Sequence, residues 1–237
     1  MPANRYFCAA ELNVGDEVAI VGAEFHHLIH VMRASVGESV EIVNGRGTLA
    51  FAQIVGIEKK KHALALVDRN EKEQESKRCL VIAQAIPRQG RLDTIVEKTC
   101  ELGVDELILF PGERSERKDV GSKALGRLET VAISAMKQCG RLFVPKISVA
   151  PSLKKWDSLS TLAFFGDLAK EAPTLASQIT GDQSITFFVG PESGFTPEEE
   201  KQLKVLGVKG VKLHENVLRT ETASIVAAAI ISHLFCE

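Results

Sequence analysis

The chain has 237 residues, of which 45% are hydrophobic and 25% are charged, and its formal net charge is −2; this composition is typical of a globular protein with one large or two modest domains. Its five cysteines are odd in number and widely spaced without a C-x-x-C pair, so neither a disulfide framework nor a zinc knuckle is indicated, and the pattern fits a reducing compartment. No stretch approaches about 20 apolar residues, and the first residues lack the apolar core of a signal peptide, so we expect a cytoplasmic protein with no membrane contact.

The first 70 residues indicate a β-rich domain, because short alternating patterns recur in them. One helical stretch, Ala23 to Arg33, interrupts the pattern, and Asn44-Gly45 is a strong hairpin signal. Several short strands close most naturally into a small β-barrel. The predicted strands are Arg5 to Cys8, Glu17 to Val21, Ser39 to Val43, Thr48 to Ile57 and His62 to Val67.

Three histidines lie close together in the predicted helix of this domain. His26 and His30 are one helical turn apart, and His27 is adjacent. The H-H-x-x-H pattern lacks the glutamate of a zinc-protease motif, and no further cluster of cysteine, aspartate or histidine accompanies it. No metal site is therefore predicted, and a helix that packs on the barrel is the preferred interpretation.

A polar segment then separates this domain from the rest of the chain. The run RNEKEQESKR, Arg69 to Arg78, has no apolar anchor and predicts a linker, which we place at residues 71–78. After it, strands alternate with helices, which predicts a mainly parallel α/β sheet flanked by helices in a second domain, residues 79–237. Its predicted strands are Leu80 to Ala85, Glu106 to Phe110, a strand near Ile147, and Leu162 to Phe165; its predicted helices are Arg91 to Leu102 and Lys123 to Cys139.

Two late segments each run from a buried strand through a polar loop into a helix. The first, FFVGPESGFTPEEE, begins at Phe187, and the second, KLHENVLRTETASIVAAA, begins at Lys212. In the first, Thr196 is predicted to cap the helix, and Glu199 to reach back to the cap. Loops at the carboxyl edge of an α/β sheet are where ligands bind, so both turns are expected to line one pocket. For the second turn, the predicted strand is Val211 to Leu213, and the predicted helix runs from about Leu218 toward Phe235.

The residues of this expected pocket bear on the class of ligand. A phosphate site would need glycine-rich amides and an acid-free helix start, whereas this helix start carries Glu192, Glu198, Glu199 and Glu200. The G-x-x-x-x-G-K-[ST] motif is absent, and the only G-x-G-x-x-A stretch, from Gly45, is better interpreted as a hairpin turn. The loop therefore favours a cationic or neutral ligand and disfavours a nucleotide-binding metabolic enzyme.

Five blocks of the sequence, taken in order, resemble the RsmE-type 16S ribosomal RNA uracil-N3 methyltransferases. They are HHLIHVMRASVGESVEIVNGRG, EKTCELGVDELI, AISAMKQCGRLFVPKI, GPESGFTPEEE and VLRTETA, and they span nearly the whole chain. The resemblance implies a C-terminal trefoil-knotted α/β domain of the SPOUT superfamily, an N-terminal PUA-like RNA-binding module and a homodimer. It also implies S-adenosylmethionine as methyl donor and a uracil of 16S rRNA in the small ribosomal subunit as substrate. The donor's sulfonium cation agrees with the acid-rich loop.

The resemblance further implies which residues hold the methyl donor. Glycines let the backbone approach a ligand closely, and backbone amides and carbonyls can recognise adenine edges. Ser193 stands where the family usually has glycine, and His214-Glu215 occupy a loop that often carries small residues. The implied cofactor-binding residues are Phe165, Gly166, Val189, Gly190, Pro191, Glu192, Gly194, Leu213, Val217, Leu218, Thr220 and Thr222.

Methylation of a uracil ring nitrogen requires loss of its imide proton, so a proton acceptor, or cations that stabilise the resulting anion, should be present. Glu101, Glu192 and Glu221 are candidate acceptors that the sequence does not separate. The predicted catalytic residues are Arg219, Glu221 and Glu101. The segment Lys77 to Lys146 carries 13 lysines and arginines against 9 acidic residues, and this local positive charge, together with the resemblance, favours contact with the phosphates of RNA. The predicted substrate-binding residues are Arg33, Arg88, Arg91, Lys98, Arg114, Gln138 and Arg141.

Each of these charged residues has a structural alternative, as a surface ion pair or as a carboxylate stabilised at a helix start. A second function also stays open, namely a noncatalytic RNA-binding protein whose knotted domain is degenerate. Affinity for S-adenosylmethionine separates this alternative from the enzyme.

Overall fold

The computed structural model describes residues 4–58 and 61–236, and the chain divides into two compact units. The first unit holds Met1–Glu75 and Ile133–Val144, and the second holds Ser76–Ala132 and Pro145–Glu237. Each unit contains one sheet. None of the described helices is long and apolar enough to cross a membrane.

The described part of the first unit contains the strands and the helix β1 (Arg5–Phe7), β2 (Glu17–Val21), α1 (Gly22–His26), β3 (Ser39–Val43), β4 (Thr48–Glu58) and β5 (His62–Lys72). A π-helical turn follows α1, and the last residues of a longer helix (Ser122–Cys139) also belong to this unit. The sheet order is β1-β3-β4-β5-β2. β1 runs parallel to β3, and the other pairs are antiparallel. Since alternate residues of a strand share a face, one face is apolar, and it forms a core that includes Tyr6, Ile20, Leu28, Ile42 and Ile54.

Two predictions for this unit need correction. The predicted helical stretch Ala23 to Arg33 is helical only to Val31, first as α1 and then as a π-helical turn (His27–Val31), and Arg33 adopts a left-handed φ of 56°. β5 does not end at Val67 but continues to Lys72, so the first two residues of the predicted linker belong to the sheet. These two residues pair with β4. Pairing with residues distant in the sequence stabilises this end of β5 although its side chains do not alternate between apolar and polar.

The predicted hairpin between β3 and β4 is confirmed. Asn44 Oδ1 accepts two backbone N–H bonds, at 2.9 and 3.1 Å, and Gly45 takes a φ of 71°. The later segment of this unit is tied to the same turn. The N–H of Gly47 donates to the carbonyl of Leu142 at 2.9 Å, and the N–H of Val144 donates to that of Gly45 at 3.1 Å. These bonds explain why residues far apart in the sequence form one unit.

Tyr6, the only tyrosine of the chain, lies in this core with 1% of its surface exposed. Its hydroxyl has no hydrogen-bond partner among the described residues, and desolvation, followed by the charges of Glu24 and Glu38, raises the pKa of Tyr6 from 10.0 to about 12. Because the folded-state pKa is the higher one, this contribution to stability is complete below the unfolded pKa and is lost as the pH rises toward 12. An ultraviolet absorbance titration should show one phenolate transition near pH 12 in the folded protein and near pH 10.0 in denaturant. A folded-state transition at the denatured value would contradict this account.

The second unit is a sheet flanked by helices. Its strands are β6 (Leu80–Ala85), β7 (Glu106–Phe110), β8 (Lys146–Val149), β9 (Leu162–Gly166), β10 (Ile185–Val189) and β11 (Lys209–Val211), and its helices are α2 (Leu92–Glu101), the first part of α3 (Ser122–Cys139), α4 (Leu175–Gln178), α5 (Pro197–Val205) and α6 (Thr220–Phe235). The order is β11-β9-β10-β6-β7-β8, and every neighbouring pair is parallel, which confirms the predicted α/β architecture. The trefoil knot stays a prediction from the resemblance.

Because all these strands run in the same direction, their carboxyl ends lie at one edge of the sheet. β9 ends at Gly166, β10 at Val189 and β11 at Val211, so the loops that follow them lie at that edge. The predicted strand Val211 to Leu213 is wrong by two residues, since the chain leaves the sheet after Val211. This shift places Leu213 in the loop.

Candidate functional site

A cavity of about 780 Å³ opens at this edge of the sheet. Its volume lies in the range of small-molecule sites. The loops after β9 and β10 and the segment between β11 and α6 form most of its wall, so the two late turns line one cavity, as the sequence predicts. These loops contribute Gly166, Asp167 and Leu168, then Val189 to Phe195, then Leu213, His214 and Asn216 to Glu221.

The loop after β10 is a tight turn that brings backbone to the cavity. The N–H of Gly194 donates to the carbonyl of Pro191 at 2.8 Å, and Gly194 has a φ of 70°, which favours glycine. A Cβ on Gly190 would lie 3.1 Å from the backbone nitrogen of Phe195. The wall is therefore made of main-chain atoms at a point where a side chain does not fit.

Both predicted features of the next helix start are confirmed. Thr196 Oγ1 accepts from the N–H of Glu199 at 3.1 Å, and Glu199 Oε2 accepts from the N–H of Thr196 at 2.9 Å. This capping box fixes the point at which the loop enters α5.

A buried polar network ties the second turn to the first. Thr220 Oγ1 donates to the carbonyl of Gly190 at 2.8 Å and accepts from Gln84 Nε2 at 2.9 Å. Ser224 Oγ in turn donates to Gln84 Oε1 at 2.5 Å. Thr220, Gln84 and Ser224 are all buried, and buried polar groups that are satisfied in this way fix a single arrangement. The start of α6 and the loop after β10 are therefore held together.

Charged side chains stand on the cavity wall. Arg91 Nη1 pairs with Glu221 Oε1, while Glu221 Oε2 is buried without a hydrogen-bond partner among the described residues. Glu192 Oε1 accepts from the N–H of Arg88 at 2.9 Å. Arg219 lines the cavity at the N-cap of α6 and forms no salt bridge with another described residue. Within the described residues, the site thus combines a carboxylate whose second oxygen is buried and unpartnered with an arginine that forms no salt bridge.

The RNA methyltransferase domain family matches residues 74–232, and the RNA methyltransferase PUA domain family matches residues 20–67. The first match covers more than half of the chain and includes the whole cavity. This chain belongs to the RNA methyltransferase family. The membership confirms the predicted enzyme class and the PUA-like character of the N-terminal part.

Named relatives are similar along the whole length of this methyltransferase. A protein of Buchnera aphidicola, called Ribosomal RNA small subunit methyltransferase E, is 27% identical over 98% of this chain and 93% of its own. The crystal structure of a protein with the same name from Neisseria gonorrhoeae, bound to S-adenosyl methionine, is 29% identical with a TM-score of 0.83 and covers 98% and 97% of the two chains. A predicted RNA methyltransferase of Thermotoga maritima is 30% identical with a TM-score of 0.79, over 98% and 99%. The resemblance drawn from the sequence blocks is confirmed.

The structure of this methyltransferase brings most of the predicted cofactor-binding residues together. Phe165 does not line the cavity, because it is buried in the core, where its ring meets that of Phe195 edge-on at 6.2 Å. Thr222 lies in the first turn of α6, outside the lining. The cofactor-binding roles stay predictions. The predicted residues that do line the cavity are Gly166, Val189, Gly190, Pro191, Glu192, Gly194, Leu213, Val217, Leu218 and Thr220.

The predicted catalytic and substrate-binding residues are more scattered. Arg219, Glu221, Arg91 and Arg114 line the cavity. Glu101 lies outside its lining on α2, where it pairs with Lys98 at 2.8 Å, so its predicted catalytic role gains no support from the cavity. Three predicted substrate-binding residues, Arg33, Gln138 and Arg141, belong to the first unit. Arg88 lies outside the cavity lining and pairs with Glu116.

Sequence reasoning missed several lining residues. Asp167 and Leu168 directly follow β9, and their position after a strand end at the ligand-binding edge is the signal that could have identified them. His214 and Asn216 lie in the second turn, where the N–H of Asn216 donates to His214 Nδ1 at 3.0 Å. No pattern in the sequence indicates that bond.

Proposed function

We propose that this protein transfers the methyl group of S-adenosylmethionine to N3 of a uracil in 16S rRNA of the small ribosomal subunit, in the cytoplasm and as a homodimer. The observation that carries the proposal is the backbone-walled cavity of about 780 Å³ inside the matched methyltransferase domain. A relative 29% identical over nearly the whole chain is bound to S-adenosyl methionine, and others are named for the small-subunit ribosomal RNA.

The residues of the cavity suit the donor. A Cβ on Gly190 would crowd the backbone of Gly194 and Phe195, so glycine at this position lets the loop turn tightly at the cavity wall. Main-chain groups of the loop after β10 can bind the polar edges of an adenine, and the carboxylates of Asp167, Glu192 and Glu200 stand at the cavity to meet a cationic sulfonium. S-adenosylmethionine, when bound, supplies an electrophilic methyl group.

The chemistry left to the protein concerns the uracil. Its N3 carries an imide proton that must leave for the nitrogen to attack a methyl group, and Glu221, whose side chain lines the cavity, is the proposed acceptor. Arg91 holds the other oxygen of Glu221 and so fixes the direction of the carboxylate. Arg219 donates to a ring carbonyl oxygen, where the negative charge of the deprotonated imide gathers.

Replacement of Arg219 by alanine should lower kcat by roughly 10²- to 10³-fold, because a cation aimed at developing charge acts mainly in the transition state. Affinity for S-adenosylmethionine should change far less. The measurement is methyl transfer at saturating donor, with Arg127→Ala as the matched control, since Arg127 pairs with Asp93 outside the cavity lining of the same unit. If the two variants have equal rates, Arg219 is not a catalytic residue.

The homodimer is supported by an apolar rim. Leu168 and Val217 line the cavity and expose 75% and 76% of their surface, and a second copy would cover them. Sedimentation equilibrium should give twice the chain mass of 25.8 kDa. A monomer at micromolar concentration would contradict this part of the proposal.

The function is tested with ribosomal RNA from cells that lack this enzyme. Purified protein and labelled S-adenosylmethionine should methylate either the free 16S rRNA or the assembled small subunit at one uracil. Methylation at N3 blocks the Watson–Crick edge, so reverse transcriptase should stop next to that base, and hydrolysis should release 3-methyluridine. Release of another methylated nucleoside would contradict the predicted atom, and absence of transfer to both substrates would contradict the function.

A further inference from the structure

The segment that follows β7, residues 112–118, has no role in the chemistry proposed above, yet its side chains reach across to the loop after β10. Glu113 does not line the cavity. Its Oε2 accepts a hydrogen bond from Thr196 Oγ1 at 2.9 Å, and its backbone N–H donates to Glu199 Oε1 at 2.8 Å. Both members of the capping box of α5 are therefore bonded to one residue of this segment.

Lys154, in the short helical turn Leu153–Lys155, also contacts Glu113. Lys154 Nζ pairs with Glu113 Oε1 at 2.7 Å, so each carboxylate oxygen of Glu113 has a partner. The hydrogen bond from Lys154, followed by that from Thr196, lowers the pKa of Glu113 below its usual 4.5. Glu113 is therefore ionised, and the contact intact, throughout the neutral pH range.

Arg114 holds the loop itself. Its Nη1 donates to the carbonyl of Ser193 at 2.9 Å and to the carbonyl of Phe195 at 3.1 Å. These carbonyls belong to the residues immediately before and after Gly194, which has the left-handed φ. Hydrogen bonds from a charged donor are about twice as strong as neutral ones. Arg114 therefore fixes the main-chain direction at the turn that forms the cavity wall.

The segment is in turn held rigid. Lys118 Nζ donates to the carbonyls of Gly112 and Glu113 at 2.6 and 2.8 Å, which closes the segment on itself. A rigid support is needed for a positioning role, since a mobile segment would move with the loop it contacts.

We propose that Glu113 and Arg114 are positioning residues that hold residues 190–196 in the conformation that binds the methyl donor. The inference rests on the proposed function, and it gives Arg114 a different role from the RNA contact expected from the sequence. The two residues act through the loop: Glu113 fixes where α5 begins, and Arg114 fixes the turn before it. Loss of either lets the loop relax, and the donor then has to order it again on binding.

The test compares the affinity of S-adenosylmethionine, measured by calorimetry, for Glu113→Ala, Arg114→Ala and the unchanged protein. Each variant should bind about tenfold more weakly, and the KM for the donor should rise while kcat at saturating donor stays within about threefold, because the transition-state contacts are intact. Thr196→Ser keeps both the cap and the bond to Glu113 and should bind normally. Asp119→Ala removes an exposed carboxylate near the same segment and serves as the control.

Salt dependence separates positioning from RNA contact. If Arg114 instead binds a phosphate, Arg114→Ala will leave donor affinity unchanged and will reduce the salt slope of RNA binding by about one; this result overturns the proposal. Donor affinity of Glu113→Ala equal to that of Asp119→Ala also overturns it. Because Glu113 and Arg114 are exposed residues, thermal melts of both variants should match that of the unchanged protein within a few degrees. If the unchanged protein itself fails to bind the donor, the proposed function has failed and not the positioning contact alone.

Discussion

Replacement of Glu221 by glutamine is expected to lower kcat for methyl transfer by roughly 10²- to 10⁴-fold, the range that a positioned proton acceptor supplies. Glutamine keeps the size of the side chain but cannot take up the imide proton. Glu221 has one oxygen held by Arg91 and the other buried without a partner among the described residues. Single-turnover transfer at saturating S-adenosylmethionine is the measurement.

Two further measurements serve as controls for this prediction. Donor affinity of Glu221→Gln, measured by calorimetry, should fall less than the rate does, which shows that the cavity is intact. The same change at Glu101 decides between the two predicted acceptors, because Glu101 is paired with Lys98 away from the cavity. A larger loss of rate at Glu101 than at Glu221 would contradict the assignment.

Replacement of Gly190 by valine is expected to abolish measurable binding of S-adenosylmethionine. Even the Cβ would lie 3.1 Å from the nitrogen of Phe195 and 3.3 Å from the carbonyl carbon of Gly194, and both are backbone atoms that a rotamer change cannot move. The backbone must then shift, and the main-chain groups that are expected to contact the donor are displaced with it. Gly190→Ala should show a weaker loss in the same direction.

The matched control is Gly126→Ala. Gly126 lies in α3, a Cβ there meets nothing within 4 Å, and alanine has the higher helix propensity, so binding should be unchanged and stability equal or higher. Donor binding by Gly190→Val with the affinity of the unchanged protein would show that the loop after β10 is not the wall of the donor site.

The sequence predicts those features of the fold that depend on residues close together in the chain, such as strand bounds, a helix cap and a turn. β6 and β7 were predicted to the residue, because buried parallel strands are short apolar runs with clear ends. The capping box at Thr196 was predicted because its two hydrogen bonds join residues only three apart. The Asn44-Gly45 turn was predicted for the same reason.

Features set by distant contacts could not be predicted in this way. The end of β5 depends on its pairing with β4, and Arg69 lies over the ring of Phe51 at 3.7 Å, a contact between residues of different strands. The end of β11 depends on its register with β9. The partners of Arg114 are backbone carbonyls about 80 positions away, so the sequence identified the residue but not what it holds.

In the candidate site, too, the loop residues are predictable from the sequence, whereas the contacts of their side chains are not. The resemblance supplied the loop residues, and the structure gathers them at one sheet edge. The choice among Glu101, Glu192 and Glu221 needed side-chain geometry, since all three are ordinary surface carboxylates in the sequence. Only Glu221 combines a fixed oxygen with a buried oxygen that has no partner in the described part of the chain.

A crystal structure of the protein grown with S-adenosylmethionine tests the central claim most directly. We expect the adenine against the backbone of residues 190–195 and the sulfonium methyl group directed toward Arg219 and Glu221. Density for the donor at any other place, or a methyl group directed away from these two side chains, would contradict the account.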